Sequence, residues 1–217
     1  MRMGTTWFTS DLHLGHRLVA ELRGFGDDTA AHDAAIAAAW ALVVRPEDTV
    51  WVLGDVAVTS SSGGVDTVLD QIGALPGAKH LVAGNHDPVH PMHRGAWKWQ
   101  ARYLSVFASV QPFARLRMST LRVDGQQVTG PVLLSHFPYA QDGRHAAEGH
   151  AVDTAAQWRL PDLGGWLLHG HTHSAVQVTD GRQVHVGVDA WGLRPATQWQ
   201  IEGLMMRQHS VPEVPAL

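Results

Sequence analysis

Each apolar, β-branched run in the first half of this chain stops at a cluster of small and chemically active residues, and that repeated stop restricts the fold more than any other feature. Thr5–Ser10 runs into Asp11-Leu12-His13, Thr49–Leu53 into Gly54-Asp55, and Lys79–Ala83 into Gly84-Asn85-His86-Asp87. The runs have the length and residue types of strands. Between them lie helical patterns. Thr29–Val44 places Ile36, Trp40 and Val43 at helical spacing between an Asp27-Asp28-Thr29 start and an Arg45-Pro46 stop, and Val65–Ile72 follows with Gly73 at its end. Strand, helix, strand, helix, strand predicts an α/β protein whose polar groups gather where the strands end.

The second half reads as richer in strands. Thr120–Val123 and Gln127–Thr129 flank an Asp124-Gly125 turn, Val132–Ser135 leads into His136, and Trp166–His169 leads into Gly170-His171-Thr172-His173. A second hairpin is expected from Ala175–Val178 and Gln183–Val186 around Asp180-Gly181, then a closing strand near Thr197–Ile201. Residues 138–165 have little apolar periodicity and read as a loop or lid with a short helix near Thr154–Arg159, while 210–217 read as a tail.

Composition removes several function classes. The 217 residues suffice for one domain, residues 1–217, with a sizeable core. Sixteen Lys and Arg against twenty Asp and Glu give a net charge of -4, so the surface has no general attraction for nucleic acid or anionic lipid. A phosphate-bearing ligand must be drawn locally. With no cysteine there is no disulfide framework, no thiol nucleophile and no cysteine-ligated zinc. No apolar run reaches membrane-span length and Met1–Ser10 lacks signal-peptide character, which predicts a cytoplasmic protein. The anomaly is fifteen histidines, nearly as many as all Lys and Arg together. Histidine is the commonest metal ligand and the usual acid or base near neutral pH.

Residues two apart on an extended chain point the same way, so Asp11 with His13, and His171 with His173, can each present a pair of ligands to one region. Asp55 alone between them is suited to bridge two cations, because a carboxylate has two oxygens. Taken singly these residues have plainer readings: Asp55 as a turn or cap, His136 as a hydrogen-bonded core histidine, Asn85-His86-Asp87 as a turn.

In order and chemistry the five clusters resemble the calcineurin-like metallophosphoesterase superfamily, whose signature runs Asp-x-His, Gly-Asp, Gly-Asn-His-Asp/Glu, a lone His, then Gly-His-x-His. That resemblance implies two mixed β-sheets packed face to face and flanked by helices, a four-layer αββα sandwich. It also implies two divalent metal ions, one held by Asp11, His13, Asp55 and His173, the other by Asp55, Asn85, His136 and His171. His86 would protonate the leaving oxygen, with Asp87 orienting its imidazole. Nitrogen and oxygen ligands admit Mn²⁺, Fe, Zn²⁺, Ni²⁺ and Co²⁺, with Mn²⁺ expected to serve in vitro. Two divalent cations less two carboxylates and one hydroxide would leave about +1 to meet a phosphate, and the resemblance implies that a metal-activated hydroxide would be the nucleophile.

Beyond the metal ligands, His16 and Arg23 follow His13 closely and could each hold a phosphate; compact bacterial and phage members resemble this chain at that point. Arg17 and Arg144 are the other cations near the clusters. Gly187-Val188-Asp189-Ala190-Trp191 resembles a segment of the same compact members, where Asp189 would brace the site; alternatively it is a strand end with a packed Trp191. Few cations beside the metals favours a phosphodiester monoanion, small or cyclic nucleotides included, over a monoester. No extended nucleic-acid groove or base-stacking ladder is evident, and the chain is expected to act as a monomer or homodimer. A scaffold that keeps the fold without catalysis is the rival reading, and the intact His86 and Asp87 oppose it.

Overall fold

A computed structural model describes residues 4–57, 62–123, 126–140, 155–179 and 181–208. The first three expected strands are present as β1 (Thr6–Thr9), β2 (Thr49–Val52) and β3 (Ala78–Val82). Two helices that the spacing of apolar residues predicts lie between them, α2 (Thr29–Val43) and α3 (Ser62–Ala74), with a short α1 (Arg17–Leu22) ahead of α2 that no periodicity signals. Asp28 caps α2 by accepting from the Ala31 N–H. After β3 come α4 (Gln100–Leu104) and β4 (Ser109–Gln111), too short to stand out in the sequence.

The tip hairpin read at 120–129 belongs to a much longer one. β5 (Phe113–Val123) pairs antiparallel with β6 (Gln126–Ser135), so 127–129 and 132–135 form one strand passing through Pro131. The proline is tolerated because β6 meets β7 (Trp166–His169) only from Val132 onward. β8 (Gln183–His185) pairs parallel with β7. The hairpin expected from 175–178 is present only in shortened form: that segment pairs antiparallel with β8 at Val178 and Val184, with the Thr179 N–H on the Gln183 carbonyl and the His185 N–H on the Gln177 carbonyl. The expected closing strand at 197–201 is also corrected. A two-residue strand, β9 (Ala196–Thr197), leads into a helix, α5 (Gln198–Gln208). Thr197 Oγ1 accepts the Gln200 N–H and Gln200 Oε1 accepts the Thr197 N–H, a reciprocal cap, while Ile201 and Met205 are buried at helical spacing. The expected short helix near 154–159 is a single 3₁₀ turn, Ala156–Trp158; 141–154 and the 210–217 tail lie outside the described residues.

Two mixed sheets result, ordered β4-β3-β2-β1-β9 and β5-β6-β7-β8. Strand alternation assigns their faces. Val50, Val52 and Leu81 point to Ile36, Trp40, Leu69 and Ile72 of the helices, whereas Phe8, Leu53 and Val82 point to Met118, Val132, Leu134 and Leu168 of the other sheet. Burial of both faces locks the register of β1, β2 and β3, so the loops after them emerge together at one edge. Among the described residues no helix is long and apolar enough to cross a membrane.

Candidate metal centre

The β1 and β2 strands end, but their backbones keep company: Asp11, His13 and Leu14 donate N–H groups to the carbonyls of Gly54, Asp55 and Val56. The side chains do not converge by continued extension. Asp11, His13, Asp55, His171 and His173 all have positive φ, between 49° and 70°, and Leu193 is the only other non-glycine residue with positive φ among the described residues. Each left-handed non-glycine residue costs roughly 1–3 kcal/mol. This strain coincides with five of the seven residues that the resemblance implies as metal ligands. The Gly54 and Gly84 turns pack backbone to backbone. A Cβ on Gly84 would stand 2.6 Å from the Asp55 nitrogen, and one on Gly54 2.7 Å from His136 Nδ1.

Two groups of donors form. Asp11, His13 and His173 make one; Asp55, His136 and His171 make the other. Asn85 joins the second, with Oδ1 3.0 Å from His136 Nε2 and 2.9 Å from His171 Nδ1. Asp55 faces both: its Oδ2 lies 3.6 Å from His13 Nε2 and 3.3 Å from His136 Nε2.

Bound divalent cations fit this donor set. His136 Nδ1 donates to the Leu53 carbonyl at 2.7 Å and His173 Nδ1 to Asp189 Oδ2 at 3.0 Å, so each turns the lone pair of Nε2 inward. His13 Nε2 and His173 Nε2 are 3.1 Å apart, where two lone pairs repel unless positive charge lies between them. Burial pushes His13 down to about 2, keeping it neutral and able to ligate. His136 shows what the carboxylates require: burial disfavours its charge, yet Asp55 and Asp11 overcome that and raise it to about 9. Asp11 and Asp55 are almost wholly buried, so without cations the site draws a proton onto His136 for countercharge.

The remaining site candidates divide. His16 is half-buried at the mouth, its ring 5.5 Å from that of His13 and 6.4 Å from that of His86. His86 is exposed, its ring 5.4 Å from that of His13, its backbone N–H on Asp55 Oδ1, and its side chain without a hydrogen bond among the described residues. Arg17 is exposed at the start of α1, and Arg144 lies outside the described residues.

Two expectations are corrected. Asp87 does not orient His86: it is fully buried, and its carboxylate accepts the N–H groups of Gly84, Asp55 and Val56 at 2.8, 3.0 and 3.1 Å, clamping the loop after β2 to the loop after β3. Burial foremost, then the neighbouring Asp55, raises it to about 7. Arg23 does not face a phosphate. Its guanidinium pairs with both oxygens of Asp189 and donates to the Asp11 and Leu12 carbonyls. Asp189 thereby braces His173; burial would raise its pKa, but Arg23 and His173 hold it well below the carboxylate range.

Sequence reading passed over three histidines here. His32, fully buried, bonds Arg23 Nη1 through Nε2 and Asp33 through Nδ1, and Asp33 accepts the Gly15 N–H. Its spacing from Ile36 and Trp40 on α2 was the available signal of burial. His185, also fully buried, lies 3.8 Å from Asp11 Oδ2, and His93 Nε2 donates to the Asn85 carbonyl at 2.8 Å. No local pattern announces either.

Comparison with known proteins agrees with this layout. Residues 4–175 match the model of the calcineurin-like phosphoesterase family. The chain is 47% identical over 193 residues to the Gene 66 protein of Mycobacterium phage L5, covering 88% of this chain and 89% of that one. It is 47% identical over 196 residues to the Gene 66 protein of Mycobacterium phage D29, covering 87% and 90%. A crystal structure of a protein of unknown function from Aquifex aeolicus shares the fold, with TM-score 0.55 and 22% identity over 93% of this chain and 99% of that chain.

Proposed function

The chain belongs to the calcineurin-like phosphoesterase family, and from that premise we propose that it is a dinuclear metal-dependent phosphoesterase favouring phosphodiesters. The observation that carries the proposal is the position of Asp55 Oδ2, within 3.6 Å of a nitrogen of one donor group and 3.3 Å of a nitrogen of the other. Asp11, His13, Asp55 and His173 would hold one cation, and Asp55, Asn85, His136 and His171 the second. Such a pair lowers the pKa of a water and polarises phosphoryl oxygens.

The protein's own residues do the rest. Leu53 and Asp189 fix the tautomers of His136 and His173, so the ligands need no rearrangement. His86, exposed beside the cluster, holds a proton on its imidazole and passes it to the departing alkoxide. His16 at the mouth offers a donor to a phosphoryl oxygen.

Diester preference is supported by where the cations lie. A monoester dianion calls for extra guanidinium or ammonium groups, and Arg23, the nearest in sequence to the His13 cluster after Arg17, is engaged with Asp189 and main chain. With Mn²⁺, kcat/KM for bis-nitrophenyl phosphate should exceed that for nitrophenyl phosphate at equal pH. A tenfold preference for the monoester would overturn the diester assignment, and no hydrolysis of either with any of Mn²⁺, Ni²⁺, Zn²⁺, Co²⁺ or Fe²⁺ would favour the scaffold.

A further inference from the structure

The loops after β1, β2 and β3 supply Asp11, Asp55 and Asn85, and along the same sheet edge, beyond the ends of β3 and β4, lies a cavity of about 540 Å³. Ala83 at the end of β3 and Gln111 and Pro112 at the end of β4 form its floor, and the segment after Asp87 forms its wall with His93, Arg94 and Trp97. In open parallel sheets ligands bind outside the carboxyl ends of strands, and the volume is that of a small-molecule site. His93 links the cavity to the metal centre, since it lines the former and hydrogen-bonds the backbone carbonyl of Asn85.

Trp97 lines the cavity and is 74% exposed, which leaves its ring free to stack on a ligand. Lys98 Nζ stands 5.6 Å from the centre of its ring. Phe113, next in the chain to Pro112, is 56% exposed. Arg94 has no carboxylate partner among the described residues. An exposed indole, an uncommitted guanidinium and two amides, Gln100 and Gln111, around one cavity suit a flat heteroaromatic ring that also carries hydrogen-bonding edges.

We infer that this cavity is the nucleoside subsite of the enzyme: it seats the base of a nucleotide whose phosphodiester lies on the metal centre, with the base stacked on Trp97 and Arg94 beside it. It deepens the phosphodiesterase reading and rests on it.

The test compares two strained cyclic diesters that differ in the base, adenosine 2′,3′-cyclic phosphate and glycerol 1,2-cyclic phosphate, on the Mn²⁺-loaded wild type, Trp97→Ala and Trp199→Ala. Trp199, 78% exposed on α5, serves as the control. Trp97→Ala should raise KM for the nucleotide about tenfold, the scale of losing one base-stacking contact, and leave the glycerol ester within about twofold. Trp199→Ala should change neither. Equal effects of Trp97→Ala on both esters, or no effect on either, would overturn the subsite. Calorimetric titration with adenosine 5′-monophosphate separates this from failure of the phosphoesterase reading. If wild type cleaves neither these esters nor the nitrophenyl esters with any of the five metals, that reading fails, and nucleotide binding that is absent or unchanged by Trp97→Ala overturns the subsite whether or not hydrolysis is seen.

Discussion

Arg23 closes on Asp189 through two parallel bonds, Nε to Oδ1 at 2.7 Å and Nη2 to Oδ2 at 2.8 Å, and this pairing joins the end of α1 to the segment after β8. The same Asp189 oxygen that receives Nη2 receives His173 Nδ1. Asp189→Asn removes the charge that orients His173 and should weaken the cation at Asp11, His13 and His173 roughly 10–100-fold, with the other group unaffected. Calorimetric metal titration should show one of two binding steps weakened. Two unchanged steps would reduce Asp189 to a packing role.

Asp87 and His86 are adjacent in sequence and opposite in consequence. Asp87→Asn leaves an amide against three N–H donors and should lower the melting temperature of the metal-free protein, because the loops of Asp55 and Gly84 lose their clamp. His86→Asn should leave melting temperature and metal content intact. It should cut turnover roughly 10²–10⁴-fold on esters with alkoxide leaving groups, and less on nitrophenyl esters, whose leaving group needs no proton. Thermal melts and paired kinetics distinguish the two; an equal loss on both ester types would show that His86 is not the acid.

The strand-end clusters were readable because order and spacing survive in one dimension, and β1, β2, β3, α2 and α3 were readable from period and punctuation. What brings Asp11 beside His171 is less visible. It depends on left-handed turns at five non-glycine positions, a choice of backbone well that the side-chain pattern does not encode. Asp87 looked like a partner for His86 by adjacency, but burial turned it toward main-chain donors from another loop. Arg23 looked free because Asp189, its partner, is 166 residues away. The start of α5 does carry a local signal, since Thr197 and Gln200 are spaced as a helix cap.

Away from the site, Asp48 fastens the start of β1. It accepts the Thr5 and Arg45 N–H groups and the Trp7 indole N–H at 2.7, 2.9 and 2.9 Å. Burial tends to raise its pKa, but these donors outweigh it and lower it. A carboxyl with a depressed folded-state pKa stabilises the fold above its unfolded pKa, and the stabilisation fades as pH falls through the folded value. Asp48→Asn should therefore cost about 1–3 kcal/mol in urea unfolding at neutral pH. The gap from wild type should narrow in acid below the ordinary carboxylate range, and a gap constant with pH would assign the cost to packing.

The central claim is that Asp55 joins two cations, and the metal content of purified Asp55→Asn tests it most directly. Plasma mass spectrometry should find two metal ions per wild-type chain after Mn²⁺ loading, and one or fewer in the variant, with hydrolysis of bis-nitrophenyl phosphate near background. Two tightly held ions per chain in Asp55→Asn, with wild-type turnover, would contradict a bridged dinuclear centre.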